Sequence, residues 1–168
     1  MEAVGLLRAQ YFPFLLTDPA PLHAVTLMAA SLYTRVRGPR SHPVDLLQLR
    51  GMAIREINGA LAHDARGISD QMIAAVAQIA SYEILFGDRD ICNTHMQGLT
   101  RMVSLRGGLP GLGLDGLLER VVLWVDSNVS HIMNRHLYFN PRAFPPSSPN
   151  VVHPAPDASR FAAGGIAR

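Results

Sequence analysis

Glu83, Asp88, Asp90 and His95 fall together in the stretch EILFGDRDICNTH, the densest grouping of side chains suited to chemistry in this sequence. Two aspartates close to a glutamate could hold a divalent cation. Metal-assisted catalysis, however, needs a second acidic set on a facing element, and the sequence contains no such motif. Turn and cap chemistry accounts for Asp88 and Asp90 without a metal. Glu83 and His95 lie on the apolar stripes of consecutive helices, at similar distances from the turn near Asp88. A polar group on such a stripe is costly unless satisfied, so the spacing predicts a buried Glu83–His95 hydrogen bond joining the two helices. With no nucleophile nearby, this pair reads as a core contact that fixes register and not as a catalytic dyad.

The remaining candidates reduce to structure. Gly98 follows His95 by about one turn on the same face, where a helical glycine predicts close approach of a neighbouring helix. The stretch RGGLPGLG, containing Gly107 and Gly108, has the composition of a phosphate loop, but it follows a helix and no Gly-Lys-Ser/Thr comes after it. It reads as a helix stop and a turn, with Arg106 as the cation of the last turn and Gly107 in the left-handed C-terminal position. The other histidines have no metal-ligand spacing, and Ser104, Ser127 and Ser130 lie inside helical patterns. These residues define no catalytic, metal-binding or cofactor-binding set.

Helices must position all of these groups. Glycine and proline divide the chain into five of them. The first runs from about Pro21 to Val36 and is expected to bury Leu22, Val25, Ala29, Leu32, Tyr33 and Val36. The second, about Pro43 to Ala62, buries Leu46, Leu49, Ala53, Ile57, Ala60 and Leu61. The third is capped by Ser69, with Ile68 and Ile73 at hydrophobic-staple positions, and buries Met72, Ile73, Val76, Ile79, Ala80 and Glu83. Asp90 can cap the fourth, which ends at Arg106, and the fifth spans about Leu114 to Met133. Short loops between them imply antiparallel neighbours. The expected fold is all-α, a stack of antiparallel helical hairpins over residues 20–139. An N-terminal arm occupies residues 1–19, and a disordered tail holding six of the twelve prolines occupies residues 140–168.

Composition excludes several classes. A single cysteine, Cys92, allows no internal disulfide and no cysteine-rich zinc module. The cations are all arginine, yet the formal net charge is only +2, short of the clustered charge that nucleic-acid binding needs. Arg35, Arg37 and Arg40 read as cations at the end of a helix. The start Met-Glu lacks the positive flank of a secretory signal, and the apolar runs are too short for a membrane span.

The run DQMIAAVAQIASYEILFGDRDICNTHMQGLTRMVSLRGGLPGLGLDGLLERVVLWVD resembles the regulatory domain of fungal binuclear zinc-cluster transcription factors. The resemblance is carried by Glu83, Asp88, His95, Gly98, Leu99, Arg106, Gly107, Gly108 and Asp126 at their spacing, the H-x-x-G-L and R-G-G-L elements above all. That family joins a six-cysteine zinc cluster, which contacts DNA, to a long helical regulatory domain. The resemblance therefore implies a nuclear, non-enzymatic domain regulating transcription through protein or effector contacts. With one cysteine, this chain is expected to make no direct DNA contact. Helical faces left bare are expected to bind protein partners or a second copy. The alternatives are a stand-alone helical interaction module and a helical small-ligand-binding protein.

Overall fold

The computed structural model describes residues 3–38 and 45–139. The helices are α1 (Ala3–Leu6), α2 (Phe12–Leu15), α3 (Pro19–Arg37), α4 (Leu46–Leu61), α5 (Asp64–Gly67), α6 (Asp70–Phe86), α7 (Arg89–Leu105) and α8 (Leu117–Met133). A π-helical turn, Leu7–Tyr11, joins α1 to α2, and 3-10 turns at Leu109–Gly111 and Leu114–Gly116 lead into α8. Among the described residues there is no strand. The tail expected from residue 140 onward, and Arg40, lie outside the described residues.

Side-chain caps start the long helices. Asp18 accepts from the Ala20 N–H, Asp45 from those of Leu47 and Gln48, and Ser69 from that of Met72. The helix expected from Pro43 thus begins at Leu46, because Asp45 satisfies the orphan donors there. The cap of α7 is Asp88, which accepts from Asp90 and Ile91, and not Asp90 as expected. The last helix starts at Leu117, after a left-handed Gly116, and not at Leu114.

α6 is the axis of the fold, with α3, α4, α7 and α8 all packed against it. Met72 to Ala77 are buried without a break, as are Ile79, Ala80, Tyr82 and Glu83. A helix enclosed on all sides must be apolar nearly all round. Ion pairs and hydrogen bonds give the directions. Arg106 at the end of α7 meets Asp70 at the start of α6, and Arg50 early in α4 meets Glu83 late in α6. Both helices therefore run antiparallel to α6. α3 runs parallel to it, since Asp18 meets Arg66 at one end and Arg35 lies over the Phe86 ring at the other. The N-terminal turns dock on the same axis: Tyr11 and Leu15 are buried, and Gln78 of α6 donates to the Tyr11 hydroxyl. Among the described residues no helix is long and apolar enough to cross a membrane.

One face differs from the sequence expectation. α3 buries Ala20, Pro21, Ala24, Leu27, Ala30 and Ser31, whereas Val36 is 79% exposed and Leu32 and Tyr33 are exposed. That is close to the opposite side of the helix. Both sides are apolar, and the alanine-rich side lets α3 approach α6 and α4 more closely. On α4, Ala53, Ile57 and Ala60 are buried as expected, but Leu61 is exposed.

Candidate functional site

The polar residues singled out in the sequence gather around the α6–α7 hairpin. Glu83 is 1% exposed. The Nε and Nη2 of Arg50 both donate to its Oε1, each at 2.6 Å. Its Oε2 accepts the backbone N–H of Asp88 at 3.1 Å. Asp88 in turn caps α7 through the Asp90 and Ile91 N–H groups, at 2.8 and 3.0 Å. One carboxylate thus ties α4 to α6 and holds the residue that starts α7. Gly87 is required beside it, because a Cβ there would overlap Glu83 Oε2.

The expected Glu83–His95 hydrogen bond does not form. Both carboxylate oxygens are committed to Arg50 and Asp88, and His95 Nε2 is buried with no hydrogen-bond partner. α4 reaches the carboxylate with a cation, which satisfies a buried anion better than a neutral imidazole does. Burial holds the His95 pKa below 6.5; nearby Glu83 opposes that and nearby Arg50 adds to it. Burial likewise pushes the Cys92 thiol up to about 11, with Glu83 adding to the effect, and Sγ donates to the Ala80 carbonyl. Gly98 is exposed, and among the described residues a Cβ there would meet nothing within 4 Å, so none of the described helices approaches it. Leu99, by contrast, is fully buried in the core.

The other end of the hairpin is closed by Arg106. Its Nη2 donates to Asp70 Oδ1 at 2.8 Å and reaches the Gly111 carbonyl at 3.4 Å. Gly107 and Gly108 take φ of 94° and 89°, where side chains are strained, and their N–H groups return to the Ser104 and Val103 carbonyls. A Cβ at Gly111 would overlap the Arg106 carbonyl, and one at Gly113 would overlap Asp70 Oδ2. The glycine-rich stretch is a compact helix stop, as its context predicts, with an acidic side chain beside it.

Asp126, 1% exposed on α8, holds the segment that follows its own helix. Oδ1 accepts from Tyr138 N–H at 2.8 Å and Ser130 Oγ at 3.2 Å, and Oδ2 accepts from Phe139 N–H at 2.9 Å. Burial raises its pKa above 3.8, opposed by these hydrogen bonds and by nearby Arg135. Asn93 of α7 accepts from Arg135 and the Tyr138 hydroxyl, and the Arg135 guanidinium lies 4.4 Å from the Tyr138 ring centroid.

The sequence motif residues therefore build helix junctions. The family model for the fungal specific transcription factor domain matches residues 6–157. The chain belongs to that family. No curated protein and no solved structure matches it. In this transcription factor domain Glu83, Asp88, Arg106, Gly107, Gly108 and Asp126 all lie where two helices, or a helix and its following segment, must be joined. Gly98 and His95 make no such junction. Sequence reasoning missed Arg50, Asp70 and Gly87. Arg50 carried a signal: it sits on the buried face of α4 between Leu46 and Ala53, where a cation needs an anion.

Proposed function

We propose that this domain regulates transcription in the nucleus through contacts with proteins or effectors, without contacting DNA itself and without catalysis. The family match over residues 6–157 carries the regulatory part of this reading. The mechanism is supported by the way the motif side chains are used. Glu83, Asp88, Arg106 and Asp126 are engaged in holding helices, which leaves the surface rather than a buried centre to act. That surface carries apolar side chains: Leu16, Leu32, Val36, Leu47 and Leu105 are all exposed. The small-ligand alternative needed Glu83 and His95 facing a shared pocket, and Glu83 is instead closed off by Arg50 and the Asp88 N–H.

The test is a fusion of the whole chain to an unrelated DNA-binding domain, measured on a reporter bearing the matching sites. The reading requires expression to rise or fall relative to the DNA-binding domain alone. An unchanged reporter, with the fusion shown to be folded and nuclear, overturns it in favour of an interaction module unconnected to transcription.

A further inference from the structure

The segment after α8 packs against both α8 and α7. α8 ends at Met133, and its cap Asn134, with a left-handed backbone (φ 52°), turns the chain back along the helix. Residues 135–139 then lie between the C-terminal half of α8 and the start of α7. These two helices both pack on α6 but make little contact with each other directly, so the segment bridges them. Its recognition separates into two kinds. The Asp126 carboxylate takes the consecutive N–H groups of Tyr138 and Phe139, a contact with backbone that any residues but proline could make. The Phe139 ring, 1% exposed, and the Tyr138 hydroxyl on Asn93 supply side-chain specificity. Between the turn and this anchor, Arg135, His136 and Leu137 are exposed, and the His136 carbonyl lies 3.3 Å from Ser130 Oγ, whose one proton goes either there or to Asp126.

We propose that residues 135–139 form a latch in a peptide groove between α7 and α8, and that the groove, once the latch lifts, takes a bent segment of a partner protein bearing an aromatic side chain. The latch then acts as an internal competitor that weakens partner binding by the fraction of time it is closed. The chemistry of the occupant follows from what the groove holds now. It is a bend whose two consecutive N–H groups face one carboxylate, with an aromatic ring to bury and a hydroxyl for Asn93. The latch extends the protein-contact reading, but its test makes no use of transcription, so either can fail alone.

The first measurement is amide hydrogen exchange on the unmodified chain. The Tyr138 and Phe139 amides must exchange by a local opening, faster by on the order of tenfold or more than core amides of α6 such as those of Val76 and Ala77. Exchange in step with α6 overturns the proposal, because the segment is then inseparable from the core. The second uses a labelled synthetic peptide with the sequence of residues 134–139, titrated against the full chain. Phe139→Ala, which empties the ring site, must bind it tighter than the unmodified chain by roughly tenfold. Adding Asp126→Ala must abolish the gain, in protein of unchanged helicity. Peptide binding that is absent from both chains, or equal in both, overturns the proposal. Concentration-dependent dimers that the peptide dissociates would keep the groove and identify a second copy as the source of the segment.

Discussion

Replacing Arg50 with methionine should be among the most costly single changes in this domain. Methionine keeps the apolar stem and the helix propensity of arginine, so the loss is confined to the guanidinium. Glu83 would remain with its side chain fully buried and its Oε1 without either of the two donors now at 2.6 Å. Removing one partner of a buried ion pair costs about 3–5 kcal/mol. The lower end applies because the Arg50 side chain is 27% exposed, so water can enter from its side. A loss of about 3 kcal/mol corresponds to a fall in Tm of roughly 6–12 °C for a domain of this size. Urea unfolding followed by circular dichroism measures it, with an unchanged m-value showing that only stability moved. Glu83→Gln added to Arg50→Met should recover on the order of 1–2 kcal/mol, because the uncompensated charge is gone while an amide oxygen remains for the Asp88 N–H. A loss below about 1 kcal/mol for Arg50→Met, or a double variant no better than the single, would refute the assignment of this pair as the tie between α4 and α6.

Further outcomes follow from the same contacts. Gly87→Ala should cost about 1–3 kcal/mol because its methyl overlaps Glu83 Oε2, and the cost should largely vanish in a Glu83→Ala background, as urea midpoints of the four proteins will show. Gly98→Ala should do the reverse and stabilise by up to about 1 kcal/mol, since its Cβ meets nothing and the site is an exposed helix interior. His95 titrates below 6.5 when folded, so the unfolded chain binds more protons just below that pH and stability should fall as the pH drops through that region. His95→Gln should flatten this part of the stability profile. Cys92, buried and with its thiol pushed up to about 11, should resist iodoacetamide at pH 8 in the folded protein and react once urea unfolds it, as intact-mass measurement will show.

Local signals made much of the fold legible. Ser69 with the apolar run from Met72 to Ala80 is enough to define α6, and the left-handed glycines after Arg106 mark the end of α7. Glu83 was also recognisable as a polar group on a buried stripe. Its partner was not, because proximity along the chain favours His95, whereas Arg50 comes from 33 residues earlier. The roles of two glycines were hidden for a similar reason. Gly98 looked like a close-packing site within its helix, but among the described residues nothing lies where its Cβ would be; Gly87 carried no mark in the sequence, yet a buried carboxylate lies against it.

The sequence by itself determined that the chain is helical, where the long helices end, and which family it resembles, because caps, breakers and apolar spacing act within a few residues. The tertiary structure decided which side of α3 faces inward, which cation neutralises Glu83, and what Asp126 holds. Those outcomes depend on how closely whole helices approach one another. A carboxylate records in the sequence that it needs donors, but only packing selects the donors that reach it.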